Sequence, residues 1–291
     1  MPGVAIVTDT TAYLPREVVE ANQITLVSLY INWGGDRTER DADITDIDAF
    51  MDELRTGEHL PTTSQPSVGD FMAAYEPLLA DGADVVSVHI SGGISGTVES
   101  ARQAAQQLER DGKGGERVHV FDSATAAGGQ GIVTLGAARS ALRGNDVQQV
   151  LADTQATRDA LKMWFAVDTL EFLKRSGRIG GAAALIGTTL KIKPILTLEA
   201  EITPVERVRT SKRAFERMVD YARQRKDSGA DGWVVQHIQA EEQAQRLVDA
   251  VREVMGNEPV FVSEVGPVLA VHTGPGMLGV GGVPRHMLLD D

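Results

Sequence analysis

The sequence predicts an α/β protein with two α/β domains, the first of which carries a mostly parallel sheet. Short apolar runs alternate with segments of helical spacing up to about residue 160, and small or polar turns join each run to the next segment. Such alternation favours a parallel sheet with helices on both faces and ligand sites beyond the carboxyl ends of its strands. The pattern then changes, so we predict domains at residues 1–159 and 160–291.

Local signals define the elements of the first domain. Apolar runs predict strands at residues 4–7, 24–31, 85–90 and 117–121. Pro15, a residue favoured at the first helical position, begins a helix that runs to about Asn22. Helical spacing predicts further helices over 47–54, 98–108, 128–142 and 147–161. Residues 61–67 are expected as a polar loop whose last residue, Ser67, caps the following helix.

The sequence of the second domain also predicts both strands and helices, but its pattern differs from that of the first domain. Strands are predicted at residues 164–167, 191–198, 202–209, 233–238 and 260–263, and helices at 170–176, 211–225 and 241–255. Residues 199–201 join two of these strands in a hairpin-like way. Residues 177–187 are small and glycine-rich, and the glycine-dense segment 271–276 is too specific for a linker.

Composition excludes several functional classes. The net charge is −13, which repels nucleic acid and anionic lipid headgroups, so no nucleic-acid partner is expected. The absence of cysteine excludes disulfides, a thiol nucleophile and thiolate metal sites. The amino terminus lacks a basic region followed by a long apolar stretch, and no apolar run approaches the roughly 20 residues that span a bilayer. A cytoplasmic protein without a membrane span is therefore predicted.

Residues 37–48 are acidic and loop-like, and the acidic residues between Arg40 and Asp48 could attract a metal ion. Their spacing is not that of a calcium-binding loop, however. We therefore expect a solvated loop with a helix cap there, and no metal site.

The most informative motif is the turn SGGISGT at residues 91–97, between a predicted strand and a predicted helix. Such a turn directs backbone N–H groups and hydroxyls at whatever lies above the helix, and this arrangement favours an anion. No lysine lies in or just after the turn, so the pattern of a nucleotide-binding loop is absent. A single carboxylate or phosphate fits better than a triphosphate, which also counts against a phosphotransfer or nucleotide enzyme.

A serine hydrolase is an alternative reading of the same turn. Residues 93–96 resemble part of a nucleophile elbow, and Ser95, then Asp122 or Asp168, then His272 follow one known order of triad residues. The elbow is incomplete because Thr97 stands where its last glycine belongs, and no glycine-rich oxyanion loop precedes it.

Five segments together resemble the DegV family of bacterial fatty-acid-binding proteins, and they span nearly the whole chain. These segments are Thr8-Asp9-Thr10-Thr11, Thr63-Ser64-Gln65-Pro66-Ser67, Ser91 to Thr97, Ser176-Gly177-Arg178-Ile179 and His272-Thr273-Gly274-Pro275-Gly276. The resemblance implies two α/β domains with one long-chain fatty acid, such as a C16–C18 acid, buried between them. It implies a carrier with no other cofactor, which in some members presents the acid to a separate fatty acid kinase.

The resemblance also implies site residues. Thr63 and Ser95 would hydrogen-bond the carboxylate, with Arg178 and His272 as the accompanying basic residues. The neighbouring Thr62 leaves a one-residue ambiguity, and we choose Thr63 on the motif. The chain departs from relatives that have a serine at Gly92 and a glycine at Ser176, and the missing hydroxyl at position 92 bears on the head-group network.

The chemistry of a fatty acid is compatible with these residues. Burying about 14 methylenes at roughly 0.8 kcal/mol each supplies on the order of 10 kcal/mol, so the tail provides the affinity. The buried carboxylate needs donors or a positive partner, which two hydroxyls, a helix N-terminus and a histidine or arginine can provide. Each residue also has a purely structural reading: a helix cap for Ser95, an exposed turn for Thr63, a core histidine for His272 and a surface ion pair or kinase contact for Arg178.

Overall fold

The computed structural model describes residues 3–56, 61–185 and 192–289. Its strands, in chain order, are β1 Val4–Asp9, β2 Thr25–Val27, β3 Tyr30–Gly34, β4 Arg37–Arg40, β5 Thr62–Ser64, β6 Asp84–His89, β7 Val118–Asp122, β8 Lys162–Ala166, β9 Lys193–Glu199, β10 Glu201–Val208, β11 Gly232–His237, β12 Phe261–Glu264 and β13 Leu278–Val283. Its α-helices are α1 Arg16–Ala21, α2 Ile47–Thr56, α3 Val68–Ala80, α4 Thr97–Arg110, α5 Ala127–Leu142, α6 Val147–Ala160, α7 Glu171–Arg175, α8 Ser211–Asp227, α9 Glu241–Met255 and α10 Pro267–Thr273. Short 3₁₀ helices include Thr10–Ala12, Asp41–Asp43 and Gly180–Leu185.

Within those residues the strands form sheets of four, six and three strands. The four-stranded sheet has the order β2-β1-β6-β7 and is parallel throughout. The six-stranded sheet, β10-β9-β8-β13-β11-β12, is antiparallel except for the pair β11 and β12. The antiparallel sheet β4-β3-β5 lies in the first half of the chain. The predicted α/β class with a mostly parallel first sheet is confirmed, while the boundary between residues 159 and 160 stays a prediction.

Helix α5 lies between the two larger sheets. Nearly every residue of this helix is buried, although its sequence shows no single apolar face, as expected for a helix covered on all sides. Its glycines allow close contact: a Cβ at Gly131 would lie 3.0 Å from Leu14 and 3.1 Å from Phe261, and one at Gly136 would lie 2.5 Å from the Thr157 hydroxyl. The helix therefore joins the parallel four-stranded sheet to the six-stranded sheet, which we call the mixed sheet.

Polar side chains fix the position of α5 on both sides. Gln130 donates through Nε2 to the Thr8 hydroxyl on β1, at 3.1 Å, and accepts from the Thr11 hydroxyl at 3.0 Å. On the opposite side, the Gly128 N–H donates to Gln236 Oε1 of β11 at 2.7 Å. These buried groups are all paired, which avoids the cost of leaving a polar atom unsatisfied in the core.

A buried hydrogen-bonded chain crosses the parallel sheet at its carboxyl edge. Asp9 Oδ2 lies 2.9 Å from His89 Nδ1, and His89 Nε2 lies 2.6 Å from the Ser87 hydroxyl, which in turn lies 2.7 Å from the Tyr75 hydroxyl. Burial raises the pKa of Asp9, but its hydrogen bonds with His89, Thr11 and the backbone outweigh this effect and the pKa is lowered. Asp9 also accepts from the Ile90 N–H at 3.1 Å, so it fixes the start of the 91–97 turn.

The predicted single strand at residues 24–31 is wrong. The chain leaves the parallel sheet after Val27 and enters the three-stranded sheet at Tyr30. At the break, the Leu29 N–H donates to the Thr10 hydroxyl at 3.2 Å, and the Leu29 carbonyl accepts from the Asp41 N–H at 2.9 Å. The Leu29 N–H is thus bound by a side chain, while its carbonyl continues the pairing of β3 with β4.

The expected solvated acidic loop is also wrong in part. Residues Arg37–Arg40 form β4, which pairs with β3, and Asp41 is buried.

The polar loop expected at residues 61–67 is partly a strand, because Thr62–Ser64 forms β5. The helix cap predicted at its end is correct, since Ser67 and Asp70 make a capping box at the start of α3.

The carboxyl-terminal segment is more regular than its glycine content suggested. Residues 271–273 end α10, and β13 follows at Leu278–Val283, where glycines let strand backbones approach closely. Residue 191, the first of the predicted strand at 191–198, lies outside the described residues, as do residues 186 and 187 of the glycine-rich stretch.

Replacing Asp9 with alanine is expected to lower the free energy of unfolding by about 3–5 kcal/mol, because His89 and the Ile90 N–H would lose a buried ionic partner. Urea unfolding at pH 7 measures this loss. Arg16→Ala provides the control, since Arg16 and Glu20 form an exposed pair that is expected to contribute little to stability. Equal effects of the two substitutions would contradict a stabilising role for the Asp9–His89 pair.

Candidate functional site

A largely apolar cavity lies where the loops at the carboxyl edge of the parallel sheet meet the mixed sheet. It contains about 930 Å³ of space free of protein atoms, counting the part open to solvent. Its walls include apolar side chains from both halves of the chain, among them Ile90, Phe165, Leu198, Leu269 and Met277. The same cavity is lined by all four predicted site residues, Thr63, Ser95, Arg178 and His272, which we call the head-group cluster.

Ser95 lies in the turn that joins β6 to α4. The Ile94 and Ser95 N–H groups both donate to the Ser91 carbonyl at 3.1 Å, so the turn is closed by its own backbone. The Ser95 hydroxyl lies 2.8 Å from that of Thr97 and accepts from the Thr97 N–H at 3.3 Å. It therefore caps the first turn of α4 and also lines the cavity.

Thr63 reaches the cavity from β5. Its backbone pairs with Ile31, and its hydroxyl lies 2.8 Å from His272 Nε2. Thr62 is exposed and does not line the cavity. The neighbouring Gln65 packs against the turn that carries Ser95, because a Cβ at Gly96 would lie 3.0 Å from Gln65 Nε2. The TSQPS and SGGISGT motifs therefore meet at one wall.

His272 occupies the last turn of α10. The helix ends at Gly274, whose φ of +73° and contact with the Phe172 ring both require glycine. Burial, together with the nearby Arg178 guanidinium, lowers the pKa of His272 to about 4, so its imidazole is neutral at pH 7. Its Nδ1 is buried and has no hydrogen-bond partner within the described residues.

Arg178 brings a positive charge to the rim of the cavity. It follows α7 and is exposed, and its guanidinium donates to the Ser176 carbonyl at 2.6 Å and approaches the Ile94 carbonyl at 3.5 Å. In the described parts of the chain no carboxylate pairs with it, so the surface ion pair considered for Arg178 is not observed. Its charge remains available to the cavity.

The tip of the β9–β10 hairpin rests on the same turn, a contact that the sequence did not indicate. The Ser91 hydroxyl donates to the Ala200 carbonyl at 2.8 Å, and the Ala200 N–H donates to the Ala124 carbonyl at 2.7 Å. A Cβ at Gly93 would lie 2.2 Å from the Ala200 carbonyl oxygen, so glycine is required there. Leu198 and Ile202, on either side of the tip, line the cavity.

The geometry does not assemble the triad considered for a hydrolase. Ser95 pairs with Thr97, whereas His272 pairs with Thr63. Asp122 accepts from the Gly92 and Ala124 N–H groups and so shapes the turn, and Asp168 pairs with Lys193.

Sequence reasoning missed several polar groups of the cavity. Thr125 and Gln236 line it at buried positions, and Thr273 lies beside His272 on a helix that was not predicted. Gln65 and Thr273 carried a signal, because they belong to the TSQPS and HTGPG motifs. The described residues contain no group of three or more His, Asp or Glu side chains placed to hold a metal ion. Among the helices that the structure describes, none is long and apolar enough to cross a membrane.

Comparison with known proteins agrees with the motifs. The sequence model of the DegV family, described as an uncharacterised protein family, matches residues 3–285. A DegV domain-containing protein of Streptomyces coelicolor is 37% identical over 280 residues, which cover 95% of this chain and 97% of the relative.

Solved structures agree in fold as well. A DegV family protein from Thermus thermophilus, described by its fatty acid binding, has a TM-score of 0.85 and 35% identity, with 97% of this chain and 99% of that chain covered. DegV of Bacillus subtilis, described as a fatty acid binding protein, has a TM-score of 0.83 and 32% identity, with 96% and 99% covered. Since sequence and fold both match over nearly the whole length, the chain belongs to the DegV family.

Proposed function

We propose that this protein binds one long-chain fatty acid, with the carboxylate at the head-group cluster and the tail in the apolar cavity. The observation that carries the proposal is that one largely apolar cavity also contains a polar cluster, which is contributed by four distant segments of the chain. A fatty acid has the same division into an apolar body and one polar end. Relatives described as fatty-acid-binding share the fold at 32–35% identity.

The electrostatics of the cluster favour a carboxylate. His272 is neutral at pH 7, so the positive charge comes from Arg178 at the exposed rim, and hydroxyl groups of Thr63 and Ser95 supply donors. A carboxylate held by several donors retains its charge when it leaves water. The buried Nδ1 of His272, which has no partner among the described residues, adds a further site for a hydrogen bond.

A carrier role explains the site better than hydrolysis. A serine nucleophile needs a base within hydrogen-bond reach, and Ser95 has Thr97 as its partner instead. The imidazole of His272 also has no carboxylate on Nδ1 to orient it. Esterase turnover that depends on Ser95 would favour the hydrolase alternative.

Mass spectrometry of the intact protein and of its organic extract tests the proposal directly. We expect one C16–C18 fatty acid per chain, either retained from the expression host or taken up on addition. A protein that is empty and takes up no added fatty acid would overturn the proposed function.

Thr63→Ala and Ser95→Ala are each expected to weaken fatty-acid binding by about 1–3 kcal/mol, because a hydrogen bond to a buried charged group is lost. Competition with a fluorescent fatty acid measures the change. Thr62→Ala is the matched control, since Thr62 is the same residue type one position away and is exposed outside the cavity. A larger effect at position 62 than at 63 would assign the carboxylate to the other threonine.

We further propose that the protein presents the carboxylate to a fatty acid kinase. The rim of the cavity supports this role, because Arg178 and the turn glycines Gly92, Gly93 and Gly96 are exposed beside the head-group cluster. In the reaction the γ-phosphoryl group of ATP is transferred to a carboxylate oxygen, which gives an acyl phosphate and ADP. A fatty acid kinase supplied with the loaded protein and ATP should yield acyl phosphate, trapped as its hydroxamate. Equal turnover with free fatty acid and no carrier would contradict the role.

A further inference from the structure

Helix α10, which carries His272, has no capping side chain of its own. Its N-cap residue is Gly266, and no side chain at that position accepts from the helix. A side chain could not be added, because a Cβ at Gly266 would lie 2.5 Å from the Tyr13 ring. The free N–H groups of the first turn therefore need an acceptor from elsewhere in the chain.

Asp41 supplies that acceptor from the other half of the chain. Its Oδ1 accepts from the Val268 N–H at 3.2 Å and from the Tyr13 hydroxyl at 3.3 Å. Val268 is in the first turn of α10, where a negative charge is favourable because the helix dipole is positive at this end. The carboxylate thus takes the place of a local cap, although it is 227 residues distant in sequence.

The burial of Asp41 is costly and is only partly offset. The residue is 4% exposed, and its Oδ2 has no partner within the described residues. Burial raises the pKa of Asp41 to about 6, and the negative Asp9 adds to this increase, while hydrogen bonds with Thr10, Val268 and Tyr13 oppose it. A carboxylate kept in such surroundings points to a role beyond filling space.

The opposite end of α10 lies at the head-group cluster. His272 in the last turn contacts Thr63, and Val268, Leu269 and Thr273 of the same helix line the cavity. With only seven residues, α10 has little internal cooperativity, so its position depends on contacts at its ends. A shift of its first turn would move the imidazole relative to Thr63.

We propose that Asp41 is a positioning residue for fatty-acid binding, which caps α10 from outside the helix and thereby fixes His272 at the head-group cluster. The inference rests on the proposed function, since it concerns the same cavity. It adds a residue that does not line the cavity and acts on the carboxylate chiefly through His272.

A double-mutant cycle on affinity tests the proposal. Asp41→Ala should weaken binding of palmitate about tenfold, a change equivalent to about 1.4 kcal/mol. In a His272→Ala background the same substitution should leave the affinity unchanged within about twofold, because the residue through which Asp41 acts is gone. A purely structural role would instead reduce affinity equally in both backgrounds. Equal losses of affinity in both backgrounds would overturn the proposal. So would the absence of any loss when Asp41→Ala is made in the protein that retains His272.

Two further measurements keep the result interpretable. If Asp41→Ala does not fold, Asp41→Asn takes its place in the same cycle. Asparagine keeps the hydrogen-bond acceptor but lacks the charge. We therefore expect a loss of affinity of about threefold in the protein that retains His272, and none in the His272→Ala background. Asp146→Ala is the matched control, because Asp146 caps the first turn of α6 and does not line the cavity, and its affinity should equal that of the unmodified protein. An unmodified protein that binds no palmitate would refute the proposed function, whereas normal binding with an additive cycle would refute only the role of Asp41.

Discussion

The close packing of α5 between the two larger sheets is the constraint on which the rest of the structure depends. The helix is buried along nearly its whole length, and its glycines at positions 128, 129, 131 and 136 leave room for side chains of the mixed sheet, of α6 and of neighbouring loops. Glycine lowers helix propensity, so this sequence would form a poor helix in water. Burial compensates, and Ala126 and Ala127 at the amino-terminal end of α5 line the cavity.

The head-group cluster depends on this joint because its members come from opposite sides. Thr63 and Ser95 belong to the half of the chain that contains the parallel sheet, whereas Arg178 and His272 belong to the half that contains the mixed sheet. The hydrogen bond between Thr63 and His272 therefore spans the two halves. Any relative movement of the sheets would change the distance between the hydroxyl groups and the basic residues of the cluster.

The sequence predicted most of the elements whose signal is local. Strand β6 follows from a continuous apolar run, and the capping box at Ser67 from adjacent polar residues. The motifs also located the four residues that the structure brings to one cavity. The elements were predicted correctly because the information lies within a few residues of each, whereas the role of the four residues as carboxylate ligands stays a prediction.

The failures have long-range causes. The break at Leu29 is accompanied by a long-range contact, because the Thr10 hydroxyl accepts the Leu29 N–H. Asp41 was expected in solvent since its neighbours are acidic, yet Tyr13 and Val268 enclose it. Helix α10 was not predicted because its N-terminal partner lies 227 residues away. No local pattern encodes such contacts.

The contact between the β9–β10 hairpin and the 91–97 turn has a consequence for how this chain can vary. The hairpin tip makes that contact through the backbone carbonyl and N–H of Ala200, whose φ of +66° lies in the left-handed region. Glycine or asparagine would fit this backbone, whereas a β-branched residue would be strained. The reach of the tip is fixed by the number of residues between β9 and β10 and by the missing side chain at Gly93. An insertion or deletion in the hairpin would therefore disturb the 91–97 turn more than a change of Ala200 to glycine or asparagine.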